Sequence, residues 1–327
     1  MNEQILREKM ASISRLSAEG QKDELEVEKL ELQRAFDACT GDISARTRFD
    51  VCSLLIDLDP YAYFPHLQRA AHDLLGDPAN PPDDVTLVQL HDAFDMGTEW
   101  VHAEQAEGDL DLQRDMAMRE GLQFRALGAA RRLLTRAEDQ SARTIFDAHA
   151  IVCSSSDDCE EILGVLADAR EEGSETDHLC LARRTLRNDA LPVSERVFIA
   201  QQLLSANLSP ALRSGMLTTV IGFTCSAVVP AMDADEAVEK ELGITVEDVI
   251  DYVESLFAEL ALLPDEEQNR ALALAILCRF YVNLGDRTKA EERYASLRQL
   301  RTTVGGIHFY SEEVDRDLRD SIDGVGF

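Results

Sequence analysis

Apolar residues recur at three- and four-residue spacing along almost the whole chain, whereas alternation with period two over five or more residues is hard to find. Side chains at that spacing share one face of an α-helix, so the expected class is all-α. The first stripe, Leu6, Met10, Ile13 and Leu16, is expected to break at Gly20 and to resume through Leu25, Leu30 and Phe36. A helix carrying Phe49, Val51, Leu54 and Leu55, with Asp42 as its expected N-cap, is ended by the Asp59–Pro60 step, and a shorter one follows from Tyr63 to Leu75. Gly76 to Asp83 holds Pro78, Pro81 and Pro82 and reads as a linker. It divides the chain into an N-terminal helical unit, 1–76, and a body, 84–327, unless the two form one continuous domain.

Beyond the linker, helices are expected over 84–106, 110–137, 141–153, 157–172 and 176–187. Pro192, Ser209–Pro210 and Pro264 each open a further helix, and Thr245 with Asp248 has the spacing of a capping box. Successive helix pairs occupy roughly 35 to 45 residues, the period of stacked helical repeats. At 327 residues and 45% hydrophobic content the chain has material for a large core.

Acidic residues outnumber basic ones 62 to 32, a formal charge of -30. Such a chain repels nucleic-acid phosphates and anionic membranes, and its expected partners are basic. Against that background stand two arginine groups: Arg125, Arg131, Arg132, Arg136 and Arg143, then Arg183, Arg184 and Arg187. The simpler reading pairs them with carboxylates of adjacent helices; the alternative is an acidic partner or nucleic acid. Ser214 to Met232 carries no charge over nearly a bilayer's thickness, but Gly215, Thr218, Thr219, Gly222, Thr224, Ser226 and Pro230 lower its hydrophobicity, so it reads as a helix buried in protein. Residues 1–10 show no secretory pattern, and a cytoplasmic location is expected. The seven cysteines read as reduced, packed side chains.

Within 268–302, Leu277, Tyr281, Gly285, Asp286, Ala290 and Tyr294 fall at the spacings of a tetratricopeptide repeat, which this segment resembles. Leu277 and Tyr281 lie one turn apart, Gly285 permits a tight turn, and the small Ala290 lets the second helix approach. The segment departs from the family at Leu274, Cys278 and Thr302. The resemblance implies a right-handed α-solenoid of antiparallel helix pairs whose surface takes a peptide or helix of another protein.

Four constellations bear on chemistry. The pairs His72–Asp73 and His91–Asp92, with His66 upstream and His102 or Asp147 to complete a shell, resemble the HD-type metal-dependent phosphohydrolases, although neither pair is followed by Gly-Lys. Glu99–His102 and Glu175–His178 resemble the motifs of carboxylate-bridged di-iron bundles. Cys153, Cys159, His178 and Cys180 are zinc-ligand types at unusual separations. Tyr61, Tyr63 and Phe64 form an aromatic cluster suited to anchoring a partner, whereas Phe94 and Trp100 read as core. No phosphate-binding glycine loop, serine elbow or dinucleotide fingerprint occurs. The expected function is a protein-binding adaptor, scaffold or regulatory subunit with no catalytic residue and no cofactor. The alternatives are an HD-type hydrolase using His66, His91 and Asp92, or an acidic mimic of nucleic acid.

Overall fold

Local chemistry sets most helix starts. In the computed structural model, which describes residues 3–18, 21–39, 43–56, 58–76, 81–91, 110–232, 245–264, 266–304 and 312–324, the side chains of Asp59, Asp158, Ser174 and Thr245 each accept from a backbone N–H of the first helical turn. Thr245 and Asp248 form the expected capping box, and Ser174 with Asp177 forms a second. Ser209 caps the helix that Pro210 opens. The cap before Ala45 is Ser44, which accepts from the Thr47 N–H; Asp42 lies outside the described residues. Pro264 sits in the turn before the next helix, which starts at Glu267.

The described residues are helical with no strand, and the chain divides into two compact units, Met1–Ile151 and Val152–Phe327. The first holds α1 (Glu3–Ala18), α2 (Lys22–Asp37), α3 (Ala45–Leu55), α4 (Pro60–Leu75), the helical residues 84–91, and α5 (Leu110–Leu134). A single turn of 3-10 helix follows at Ala137–Asp139. The stripes on either side of Gly20 become two helices, α1 and α2, packed on each other, while α3 packs on α1, α2 and α4. Glu3 accepts from Ser44 Oγ at 2.8 Å and from Arg7, while Thr47 donates to it at 2.5 Å. Those hydrogen bonds, led by Thr47, hold its carboxyl at about 2. On the far side of the proline-rich stretch, Arg46 of α3 donates to Thr86 at 2.7 Å and to Gln89 at 2.9 Å.

The helix α6 (Ala142–Ser155) spans the point of division. The second unit continues with α7 (Cys159–Glu172), α8 (Glu175–Leu186), α9 (Val193–Ser205), α10 (Pro210–Met232), α11 (Val246–Leu262), α12 (Glu267–Asn283), α13 (Arg287–Val304) and α14 (Glu312–Gly324). Here α8 packs on α10, α10 on α12 and α12 on α14, forming one row; α9, α11 and α13 each brace a neighbour in it. A helix with neighbours on several sides must be apolar nearly all round. That accounts for α10, the uncharged stretch, where Met216, Leu217, Val220 and Ile221 are fully buried. It also accounts for α12, where Leu277, Cys278, Phe280 and Tyr281 are all buried and Arg279 among them is exposed. No described helix is long and apolar enough to cross a membrane. The chain does not finish in the α12–α13 hairpin: α14 seats Leu318 and Ile322, one turn apart, in the same core.

Candidate functional site

Between α8, α9, α10 and α12 the second unit opens a groove of about 1030 Å³. Its floor is α10, where Thr218, Gly222 and Ser226 follow one another at four-residue intervals, so three small side chains lie in a row. A Cβ added at Gly222 would meet only Ile276 Cδ1, at 3.5 Å, so the missing side chain there is room the groove keeps. Leu272 and Ile276, one turn apart on α12, form an apolar wall, and Phe223 supplies an aromatic face.

The opposite rim is basic. Arg183 and Arg187 lie one turn apart at the end of α8, both exposed, and Arg196 stands on α9. Arg183 Nε donates to Thr219 at 3.2 Å. Arg196 donates to the Leu186 carbonyl at 3.3 Å, meets Asp189 at 3.3 Å and lies 5.7 Å above the Phe223 ring. Arginines in the last turn of α8 also complement the negative end of its dipole. Among the described lining residues Asp189, 94% exposed, is the one carboxylate, and there is no histidine or cysteine.

Other arginines serve differently. Arg132 forks onto Asp84 at 2.6 and 3.1 Å, Arg136 reaches the same carboxylate at 3.5 Å, and Arg143 pairs with Asp147 at 2.8 Å. These are the intramolecular pairs that an acidic chain supplies in abundance. At the groove, Arg183 is held by the Thr219 hydroxyl and Arg196 by Asp189.

The candidate chemistry residues scatter. His66 is exposed on α4, its ring edge-on to Phe36 at 5.8 Å, and His91 is 2% exposed at the end of the helical residues 84–91. Asp73 pairs with Arg48 at 3.5 Å. Asp92, Phe94, Glu99, Trp100 and His102 lie outside the described residues. Among the described residues no three histidine, cysteine or carboxylate side chains group as metal ligands. Burial pushes the Cys153 thiol up to about 12, and burial foremost, with the Arg170 guanidinium, lowers the His178 imidazole. Of the aromatic cluster, Tyr63 and Phe64 are 3% and 7% exposed, and Tyr63 packs 6.2 Å from Phe36. A partner's anchor needs an accessible ring, and these two are spent on their own unit; the Tyr61 side chain lies outside the description.

The six positions of the C-terminal hairpin come together. Leu277, Tyr281 and Ala290 are fully buried. Gly285 has φ +72°; its N–H donates to the Val282 carbonyl and that of Asp286 to the Tyr281 carbonyl, the pair of bonds that closes a helix through a left-handed residue. Asp286 Oδ1 accepts from the Lys289 N–H to start α13. Tyr294 donates to Asp315 of α14 at 2.9 Å. None of the six lines the groove, but α12, which they fix in place, forms its wall.

Gly222, Phe223 and Arg196 were not singled out by sequence as members of a site. The signal they offered was a row of small residues at four-residue spacing inside an otherwise buried helix. No family model, curated protein or solved structure matches the chain.

Proposed function

We propose that this chain is a protein-binding adaptor or scaffold whose recognition surface is the groove walled by α8, α9, α10 and α12. The observation that carries this reading is the groove's composition: a floor of small residues and an apolar wall under a charged rim, with room for side chains and, among the described lining residues, no nucleophile–base pair. Affinity would come from an apolar anchor seated beside Phe223 and Ile276, and orientation from the rim. The tetratricopeptide-like hairpin supports the same reading. The family it resembles uses stacked helix pairs to hold segments of other proteins, and the packing of neighbouring helices in the second unit is compatible with a helical repeat.

The test is affinity purification of the full chain from its source cell, followed by reconstitution with each co-purifying protein. A one-to-one complex that survives gel filtration and is lost on Gly222→Leu, which fills the groove floor, is the expected result. A complex indifferent to Gly222→Leu would move the binding surface elsewhere, and failure to reconstitute any complex would remove the adaptor reading.

A further inference from the structure

We propose that the outward stripe of α2 docks the α2 of a second copy of this chain, antiparallel and about a two-fold axis. The stripe belongs to the first unit and is independent of the groove. On its inner side, towards α1 and α3, α2 buries Leu32 and Ala35 and half-buries Leu25 and Phe36. At about 100° of turn per residue, Asp23, Val27, Leu30 and Arg34 fall together on the opposite side, within about 60° of arc. All four are exposed, Val27 by 57% and Leu30 by 45%. One exposed leucine is ordinary. Two large apolar side chains nearly a turn apart, bracketed by opposite charges, make a surface whose covering would remove apolar area from water.

The charges at the ends of the stripe say what covers it. Among the described residues no hydrogen bond or ion pair engages the side chain of Asp23 or Arg34. The Glu31 carboxyl is held low chiefly by its hydrogen bond from Lys9, with Arg34 acting on it through space alone. Asp23 and Arg34 stand three turns apart, about 16 Å along the axis, too far to meet within one helix. A two-fold axis crossing the stripe level with Glu28 and Lys29 sets Asp23 of each copy against Arg34 of the other, and Val27 against Leu30. Each contact then occurs twice, as an isologous interface requires. Parallel pairing in register would set aspartate against aspartate and arginine against arginine. A uniformly basic or acidic helix would satisfy one end of the stripe and oppose the other. The axis also brings Glu26 and Glu31 together on the flanks, but each has a cation of its own chain, Lys29 at 3.7 Å and Lys9 at 2.6 Å. One helix on one helix covers less than the roughly 1,200 Å² of a stable interface. Each copy also carries a charge of -30, which repels the other. The dimer is therefore reversible and concentration-dependent.

The experiment is sedimentation velocity of the full chain from micromolar to submillimolar concentration. Wild type should pass reversibly from monomer to dimer. Leu30→Ser removes an apolar contact on both sides of the axis and should weaken association at least about tenfold. Arg34→Asp alone and Asp23→Arg alone each set like charges at both ends of the interface and should weaken it by at least about as much. Mixed in equal amounts, those two reversed proteins should associate again, because each mixed pair sets aspartate against arginine at both ends. Circular dichroism and melting check the fold of every variant; if Leu30→Ser fails that check, the mixing experiment decides. A wild type that stays monomeric throughout would overturn the proposal. So would a dimer that Leu30→Ser and both reversals leave intact, or a mixture no more associated than its components. None of these outcomes bears on the groove.

Discussion

The Tyr281 hydroxyl of α12 donates to Glu254 of α11, and Arg293 of α13 holds the other oxygen of the same carboxylate. One carboxylate thus ties three helices together beside the most buried part of the second unit. Arg293 also lies 5.3 Å over the Phe257 ring, and Lys289 lies 5.1 Å over that of Tyr281. Burial, reinforced by the Glu254 hydrogen bond, pushes the Tyr281 hydroxyl far above its ordinary value, so it stays protonated and donates where a free tyrosine would already ionise.

Tyr281→Phe keeps the ring and removes the donor. A hydrogen bond to a charged group contributes about 1.5 to 3 kcal/mol, so thermal melting of the variant is expected to drop by roughly 5 °C in a unit of this size. Tyr294→Phe, whose hydroxyl meets Asp315 at a half-exposed site, should cost less. Equal losses for the two would mean that Glu254 does not act as a shared tie.

Gly285 tests the hinge of the same hairpin. Its φ of +72° is strained for a side chain, yet a Cβ there would touch nothing within 4 Å. Gly285→Ala should therefore cost the left-handed penalty alone, about 1 to 2 kcal/mol, and Gly285→Asn less, because asparagine tolerates that conformation. Melting curves of the two variants, compared side by side, measure the difference. A larger loss for asparagine than for alanine would point to packing rather than backbone strain.

How much of this was legible beforehand follows from the range over which each signal acts. The cap at Thr245, the opening at Pro210 and the turn at Gly285 are decided by neighbours within five residues, and the sequence shows them. The uncharged stretch 214–232 announces a buried helix because the surroundings of a helix dictate its composition. Asp42 and Ser44 show the limit even at short range: both are good caps, and the residue three positions on, Thr47, is the one whose N–H Ser44 reaches. The groove is illegible for a different reason. Arg183, Gly222 and Ile276 are separated by dozens of residues, and no periodicity reports how far apart two helices settle.

His178 gives the second unit an acid sensitivity with a definite sign. It is 3% exposed on α8, and burial foremost, then the Arg170 guanidinium, holds its folded value below the ordinary 6.5. The unfolded chain takes up the proton first as pH falls, so stability is complete above 6.5 and is lost as pH drops from there through the lowered folded value. His178→Leu removes the titration and keeps an apolar side chain in place. Chemical denaturation at several pH values between about 7.5 and 5.5 should show wild type losing stability over an interval where the variant stays flatter. Parallel curves for the two would mean that carboxylates alone set the acid response.

The two glycines of α10 should respond oppositely to the same substitution. A Cβ on Gly215 would lie 2.7 Å from Leu179 Cδ2 of α8, too close for both to remain, and the half-buried Leu179 has to shift. Overpacking of this kind costs about 1 to 3 kcal/mol, against a gain of about 1 kcal/mol from exchanging glycine for alanine inside a helix. Gly215→Ala is therefore neutral at best and is expected to melt lower. At Gly222 the nearest atom stands at 3.5 Å, an ordinary contact, so Gly222→Ala collects the helical gain unopposed and should melt higher. Yet that methyl group occupies the floor of the groove, and a partner protein that the wild-type chain captures should bind the more stable protein more weakly. Stability rising while affinity falls is the signature of a glycine kept for the space it leaves; a variant that gained stability and lost no affinity would show the groove floor to be structural only.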